Sequence, residues 1–410
     1  MLSFIRGLFD RKPGNEQVAK LLLQELQKLL PGEQLVLDLD KFLIRRADGG
    51  VIYLNNLYTD CCQALPAKRK EEITRFALAV ASTGGDKPAT VDEIQPRLLP
   101  ILRRLGGVDL ARIERGDLSK KLEDTMVWTP FSPTLGAAVA IDSDHAIAQV
   151  APGDLERWGI GFEQAFEIAT DNLRHKAAPT FFEFSPGLYV SNYRDFYDAS
   201  RIFLPELAWQ LPLSGDPVAM VPNRTSLLVC GASDVAALEQ MITTARRVLR
   251  EQSRPLSADM FRLHDKAWAL WTPPGQAGAL LATLQREEKA VDYNDQQEAL
   301  IKAHEQAGID VFVAKHNLLQ RGFDGSLVSF AVLPKGLDTW LPEADLVFLL
   351  EAEGATPIIV RWADLMQHAG HLLERLPLIV PRWKVLGYPE GACLQQLRDL
   401  ATTVETVQLQ

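Results

Sequence analysis

The sequence predicts a multi-domain α+β protein in which mixed and antiparallel sheets pack against helices. Its 410 residues exceed what one ordinary hydrophobic core supports. Hydrophobic residues make up 47% and charged residues 23%, which is the balance of a globular chain and not of a disordered one. Short β-prone runs and amphipathic helical patterns occur in every part of the chain, and no repeat of about 20 to 50 residues links them.

These patterns divide the chain into five segments. They are an N-terminal tail (1–14), a helix–hairpin–helix α+β unit (15–90), a connector (91–124), a central α+β domain (125–272) and a C-terminal α+β domain (276–410). The boundary before the last domain is the Thr272-Pro273-Pro274-Gly275 stretch, because two prolines and a glycine interrupt regular structure.

The first 124 residues predict two helices, a small sheet and an exposed connector. Asn15 can cap a helix that ends at Pro31-Gly32, and a second helix spans about Lys68 to Ala81. Three β-prone runs lie between the two helices, with a tight turn at Asp48-Gly49, and a loop follows at Ser82 to Pro88. Residues 91–102 predict short helical pieces interrupted by prolines, and the charged, glycine-containing stretch 105–124 is expected to be exposed.

The central domain contains the densest strand signal and the clearest amphipathic helix. Val218–Val221 and Thr225–Cys230 are apolar on both faces, which predicts strands that are covered on both sides. A helix capped by Ser233 follows, with apolar residues at helical spacing from Val235 to Leu249. Strands are also expected at 126–130, 137–141, 146–150, 181–184, 188–190, 259–263 and 267–271, and a helix near 162–176.

The C-terminal domain is expected to begin with helices between about Ala277 and Gln306. Its predicted strands lie at 310–314, 327–332, 346–350 and 357–360, and its later helices at 362–375 and 390–402.

Charge and cysteine content restrict the partners. The net charge of −10 repels phosphate backbones, so nucleic acid is not an expected partner. The four cysteines form no C-x-x-C pair, which favours reduced thiols and a cytoplasmic location. No apolar stretch reaches the length of about 20 residues that a bilayer requires. Contact of residues 1–12 with a membrane surface is the less favoured alternative to a self-docked terminus.

The only tight cluster of Arg, Asp, Asn and Tyr follows Val190. A short helix begun by Ser191 or Asn192 would place Arg194, Asp198 and Arg201 on one face, at i, i+4 and i+7. Asp198 between two arginines would have its ionised form favoured, and two guanidinium groups could hold a carboxylate or phosphate. The alternative is a structural role, in which Asp198 only forms ion pairs with the two arginines. The candidate ligand-binding residues are Asn192, Tyr193, Arg194, Tyr197, Asp198, Arg201, Asn223 and Arg224.

Motifs for metal, nucleotide and nucleophilic chemistry are missing from the sequence. It contains no G-x-G-x-x-G, G-x-x-x-x-G-K-[ST], G-x-S-x-G or H-E-x-x-H. His368 and His371 are the only histidines at helical spacing, and no third ligand stands at a recognisable distance. We therefore expect neither a cofactor nor a metal, and no catalytic residue is assigned.

Three stretches resemble a bacterial family of unknown function, the YtpQ-like proteins. They read RLLPILRR (97–104), YVSNYRDFYDASR (189–201) and GDPVAMVPNRTSLLVCG (215–231), and the resemblance extends over about residues 15–271. Phe196 departs from it, because a small residue such as glycine is expected there, and the segment after Pro274 has no counterpart in the short members. The resemblance implies a cytosolic, bacterial protein and brings no activity, cofactor or catalytic residue.

Two functions remain open from the sequence. The favoured one is a non-catalytic, cytosolic binding or adaptor protein that recognises a protein partner or a small anionic ligand. The alternative is a metal-independent hydrolase or transferase, with Asp198 as base or orienting group and Arg194, Arg201 and Arg224 as anion clamps.

Overall fold

The computed structural model describes residues 12–47, 50–82, 90–116, 118, 126–143, 146–176, 178 and 180–405. The chain forms two compact units, each of which combines helices with mixed or antiparallel sheets, so the predicted multi-domain α+β class is confirmed. Unit 1 comprises 1–102, 126–130 and 137–271, and unit 2 comprises 103–125, 131–136 and 272–410. Residues 1–11, the predicted turn at Asp48-Gly49 and residues 83–88 of the predicted loop lie outside the described residues, and the five-segment division stays a prediction.

Unit 1 begins with the two predicted helices, an additional helix that was not predicted, and a small sheet. Its elements are α1 (Asn15–Leu29), β1 (Leu35–Asp38), β2 (Leu43–Arg46), β3 (Val51–Tyr53), α2 (Asn55–Gln63) and α3 (Arg69–Ser82). The three strands are antiparallel in the order β1-β2-β3. Leu22 and Leu26 of α1 are fully buried and share one core with Ile44 of β2 and Ala77 of α3. One face of α1 therefore packs as its apolar spacing predicts, whereas Leu21 and Leu29, which the same spacing would bury, are exposed.

The next elements correct the prediction for the start of the connector. They are a short helix α4 (Val91–Ile94), β4 (Leu98–Arg104), α5 (Leu105–Arg115), β5 (Trp128–Pro130), β6 (Leu135–Asp142), β7 (Ile147–Gln149), α6 (Pro152–Trp158) and α7 (Phe162–His175). Residues 98–104 form a strand and not a helical piece, and the sheet order is β4-β6-β5 with β7 paired to β6. Pro100 is compatible with this strand because its fixed φ lies in a range that extended backbone also adopts.

A six-stranded antiparallel sheet forms the centre of unit 1. Its strands are β8 (Phe181–Ser185), β9 (Leu188–Ser191), β10 (Pro217–Asn223), β11 (Ser226–Gly231), β12 (Met260–His264) and β13 (Ala267–Leu270). The order is β13-β12-β10-β11-β9-β8. Every residue of β10 and β11 is buried, so the prediction of two interior strands is confirmed. Strands apolar on both faces need a cover on each side, which explains their central position.

Helix α8 (Val235–Glu251) packs on β9, β10 and β11. It begins after Asp234, whose Oδ1 accepts a 3.0 Å hydrogen bond from the amide of Ala237, so the cap is Asp234 and not Ser233. The residues that it buries, among them Leu238, Met241 and Ala245, lie at the predicted helical spacing. An acidic cap suits a helix N-terminus because the first amides are unpaired and carry partial positive charge.

Gly231, between β11 and α8, allows two backbone segments to approach each other closely. A Cβ added there would lie 2.3 Å from the carbonyl oxygen and 2.5 Å from the amide nitrogen of Ser214. Gly231→Ala is therefore expected to lower the free energy of unfolding by about 1 to 3 kcal/mol, because backbone atoms have to shift. Gly153→Ala in α6 is the matched control, since a Cβ there meets no atom within 4 Å. Equal urea midpoints for the two variants would contradict this prediction.

Unit 2 contains one long helix and two mixed sheets. After α5 its elements are α9 (Gly275–Ala307), β14 (Phe312–Val313), β15 (Asn317–Gln320), β16 (Leu327–Pro334), β17 (Thr339–Pro342), β18 (Leu346–Leu350), β19 (Ile358–Arg361), α10 (Trp362–Ala369), β20 (Leu373–Arg375), β21 (Arg382–Val385) and α11 (Gly391–Asp399). The sheet orders are β14-β17-β21-β20 and β15-β16-β18-β19, with β14–β17 and β16–β18 parallel. The strands β15, β17, β20 and β21 were not predicted.

Helix α5 shows that the prediction of an exposed stretch 105–124 is wrong for one face of the helix. Asp109 and Arg112 are buried, and Asp109 Oδ2 accepts a 2.7 Å hydrogen bond from the amide of Val380. A Cβ on Gly106 would lie 2.3 Å from the Oδ1 of Asp292 in α9, so this glycine permits close helix contact. Gly106, Asp109 and Arg112 are therefore packed inside unit 2, whereas Gly107, Glu114 and Arg115 are exposed.

Candidate functional site

The loop 192–198 in unit 1 corrects the predicted site helix. Arg194 has a φ of 60° and Phe196 a φ of 67°, and neither value is compatible with a right-handed helix. Helical structure starts only afterwards, as two 3₁₀ segments at Ala199–Phe203 and Pro205–Gln210. Because no helix spans 192–201, Arg194, Asp198 and Arg201 do not share a helix face.

Hydrogen bonds between side chains and nearby backbone hold the loop in this form. Asp195 Oδ1 accepts a 3.0 Å bond from the amide of Tyr197, and Asp198 Oδ1 accepts a 3.1 Å bond from the amide of Tyr193. The Nε of Arg194 donates to the side chain of Asn192 at 3.0 Å. Short polar side chains that bond to local amides compete with helix formation, which explains the failure of the helix prediction.

Arg201 pairs with Asp195 and not with Asp198. Its two terminal nitrogens donate to the two carboxylate oxygens of Asp195 at 2.9 and 2.6 Å. Its guanidinium carbon also lies 3.5 Å from the ring centroid of Tyr193, in a cation–π contact. Burial acts to raise the pKa of Asp195, but the hydrogen bonds and charge of Arg201 hold that pKa below its ordinary value. The pair fixes the carboxylate of Asp195 in one orientation.

Asp198 is a buried structural carboxyl. It is 2% exposed, and burial raises its pKa above the ordinary value although the amide of Tyr193 acts in the opposite direction. The prediction that two arginines favour its ionised form is wrong, because the arginine that could do so is bonded to Asp195. Asn223 is likewise buried, and its side-chain nitrogen donates to the side chain of Gln252 at 2.9 Å.

A cavity of about 870 Å³ lies beside this loop. Helix α3, the β6–β7 hairpin, the loop 192–198 and the turns around Arg224 and Arg254 contribute to its walls. Its lining consists of Arg75, Phe76, Ala79, Val80, Arg97, Asp142, Ser143, Ala146, Ile147, Asp195, Phe196, Arg224 and Arg254. Four arginines and two aspartates therefore line one cavity, which leaves two positive charges in excess.

Asp142 joins three parts of the cavity wall. Its Oδ1 accepts a 3.0 Å hydrogen bond from the hydroxyl of Tyr197, and its Oδ2 accepts one of 3.0 Å from Lys176. Its backbone carbonyl accepts a 3.1 Å bond from the Nε of Arg97. Burial and the charge of Asp142 raise the pKa of Tyr197, so this hydroxyl stays protonated and donates to Asp142. Both oxygens of Asp142 are thus occupied by donors.

The lining arginines differ in the partners that they already have. Arg75 forms an ion pair with Glu72, and its guanidinium carbon lies 4.6 Å from the ring centroid of Phe196. Arg254 donates to both carboxylate oxygens of Asp60, at 3.0 and 3.2 Å. Within the described part of the chain, the side chain of Arg97 makes only the bond to the carbonyl of Asp142. The two terminal nitrogens of Arg97 are therefore available to a ligand.

The eight residues proposed from the sequence are only partly brought together. Arg224 lines the cavity, and Tyr197 reaches its wall through Asp142. Arg194 is exposed, whereas Arg201 lies behind Asp195. Asn192, Tyr193, Asp198 and Asn223 are also absent from the lining. Sequence reasoning missed Arg75, Arg97, Asp142 and Arg254, and the only signal among them is that Arg97 opens one of the three stretches carrying the family resemblance.

A metal-ligand cluster and a membrane-spanning helix are both missing from the described residues. No group of three His, Cys, Asp or Glu side chains among them is placed to hold a metal ion. No helix within the described ranges combines the length and apolar character that are needed to cross a bilayer.

Comparisons of this chain with protein-family models, curated proteins and solved structures give no match. The resemblance to the YtpQ-like family therefore stays a prediction.

Proposed function

We propose that unit 1 is a binding module for a small anionic ligand, which it holds in the cavity beside the loop 192–198. The observation that carries this proposal is the concentration of four arginines, Arg75, Arg97, Arg224 and Arg254, in the lining of one cavity. The chain as a whole has a net charge of −10, so this concentration runs against the average of the protein. A cavity lined by cationic side chains attracts anions, and this attraction increases with the positive charge of the lining.

The acidic residues in the lining do not cancel this attraction. Asp195 is bonded to Arg201, and Asp142 to Lys176, and these two cations are not part of the lining. Each aspartate is therefore matched by a cation of its own. Arg75 and Arg254 are in turn matched by Glu72 and Asp60, so the excess stays at two positive charges. Arg97 supports the proposal most directly, because a guanidinium group with two available nitrogens can hold a carboxylate or phosphate in two parallel hydrogen bonds.

Binding without catalysis is the function that the site supports better. The hydrolase or transferase alternative assigned Asp198 as the base, but Asp198 is buried, bonded to the amide of Tyr193 and absent from the lining. A cytoplasmic location is part of the proposal, since all four cysteines are free thiols.

The test is anion binding by the full chain and by Arg97→Gln, measured by isothermal titration calorimetry. We expect saturable binding of inorganic phosphate, pyrophosphate or citrate to the unmodified chain, and about 10- to 100-fold weaker binding to Arg97→Gln, because a charge-assisted hydrogen bond is lost. Arg194→Gln is the matched control, since Arg194 is exposed and lies outside the lining. The proposal fails if neither these three anions nor any other phosphate-bearing compound binds, or if both variants bind equally well.

A further inference from the structure

If the proposed anion binding holds, the volume of the cavity also indicates the size of the ligand. Its volume is about 870 Å³. Pockets of about 300 to 1,000 Å³ hold organic molecules of drug-like size, whereas an inorganic anion fills only a small part of such a space. The ligand therefore has a body as well as a charged group.

The lining shows what that body contacts. About half of the lining residues are apolar: Phe76, Ala79 and Val80 from α3, Ala146 and Ile147 from the β6–β7 hairpin, and Phe196 from the loop. Apolar side chains around a few placed polar groups are typical of sites for organic ligands, because the apolar part binds the body and the polar groups orient it. A strongly hydrated inorganic anion gains nothing from these six side chains.

Phe196 is the most informative of the six. Its φ of 67° is a conformation that glycine adopts freely and a bulky residue avoids. Phe196 nevertheless belongs to the lining, and the guanidinium of Arg75, another lining residue, stacks 4.6 Å from the centroid of its ring. Backbone strain of this kind persists at sites where the side chain is needed. A role for the ring in ligand binding would explain why phenylalanine stands at a position whose backbone conformation favours glycine.

We propose that the ligand is an organic phosphate monoester, with its phosphate on Arg97 and Arg224 and an apolar, ring-bearing body against Phe196 and α3. The lining has an excess of two positive charges, which matches the charge of about −1.5 to −2 that a phosphate monoester carries at neutral pH. A monocarboxylate supplies only half of that charge. An aromatic ring is suited to the body, because it can pack against Phe196 beside the stacked Arg75.

Calorimetry with two esters that share the phosphate group tests the body. Phenyl phosphate is expected to bind the full chain about 10-fold more tightly than glycerol 3-phosphate, since only phenyl phosphate buries a ring. Phe196→Gly is expected to remove this preference, because glycine accepts the backbone conformation and offers no ring to the ligand. Phe182→Ala, at an exposed ring outside the lining, is the matched control. Circular dichroism shows whether the variants are folded.

The outcomes separate this inference from the proposed function. Equal affinity of the unmodified chain for the two esters overturns the inferred ligand class, while binding of inorganic phosphate would still uphold the anion site. Benzoate binding as tightly as phenyl phosphate overturns the assignment of a phosphate. A Phe196→Gly variant that keeps the preference for phenyl phosphate overturns the role of the ring. If no phosphate-bearing compound or citrate binds, the proposed function fails as well.

Discussion

Replacing Arg201 with methionine is expected to lower the free energy of unfolding of unit 1 by about 3 kcal/mol. The guanidinium group is 1% exposed and forms two hydrogen bonds to Asp195 and a stack on Tyr193. Methionine fills part of the space but leaves the carboxylate of Asp195 without its cation. The side chain of Asp195 is 34% exposed, so water replaces part of the lost interaction and keeps the effect near the lower end for buried ion pairs.

Arg194→Met is the matched control for this prediction. Arg194 lies in the same loop but is exposed, and its side chain donates a hydrogen bond to that of Asn192, so a change within about 0.5 kcal/mol is expected. Unfolding of unit 1 in urea can be followed by labelling of the Cys230 thiol, which is completely buried in β11. Similar urea midpoints for the two variants would show that Arg201 is not a structural tie.

Prediction from the sequence succeeded where the pattern is local and repeated. The apolar runs of β10 and β11 are buried on both faces, and α8 buries its apolar stripe, so a consistent pattern of burial determines each element. The placement of the N-cap was one residue wrong, because Ser233 and Asp234 are both good capping residues. Geometry and not residue type decides between two adjacent caps.

The loop 192–198 could not be predicted in this way. The spacing of Arg194, Asp198 and Arg201 fits a helix face, and nothing in it reveals that Asp195 is the partner of Arg201. The left-handed conformations at Arg194 and Phe196 are rare for such residues and depend on contacts that the loop makes after folding. A spacing pattern of only three residues does not predict a conformation that depends on such contacts.

The cavity could not be predicted from the sequence, for a different reason. Its charged lining residues Arg75, Arg97, Asp142, Asp195, Arg224 and Arg254 come from separate elements, so no spacing connects them. The sequence identified Arg224 and the neighbourhood of Asp195 because both lie next to elements that it predicted correctly. The other four side chains became candidates only once the elements of unit 1 were assembled.

His316 of unit 2 is expected to make the protein sensitive to acid. It is 1% exposed, and its ring stacks on that of Tyr293 with 4.7 Å between the centroids. Burial lowers the pKa of His316 from 6.5 to about 4, and the charges of Lys289 and Arg382 act in the same direction. Asp345 acts in the opposite direction but does not outweigh burial.

The sign of the effect follows from which state takes up the proton. Between about pH 6.5 and pH 4 the imidazole is protonated in the unfolded chain and neutral in the folded one, so stability falls as the pH falls through this interval. A difference of that size corresponds to about 3 kcal/mol over the whole interval. Below about pH 4 both states are protonated, and this histidine contributes no further change. Above about pH 6.5 neither state is protonated and the full stability is present.

His316→Phe isolates this contribution, because phenylalanine keeps a ring against Tyr293 and cannot titrate. The free energies of unfolding of both proteins are measured in urea titrations followed by tryptophan fluorescence. The difference, variant minus unmodified chain, is expected to increase by about 3 kcal/mol as the pH falls from about 7 to about 4. Asp109 of the same unit has its pKa raised by burial to about 6 and so acts with the opposite sign. It is present in both proteins and cancels in the difference. A difference that does not vary with pH would show that His316 is not the acid-sensitive group.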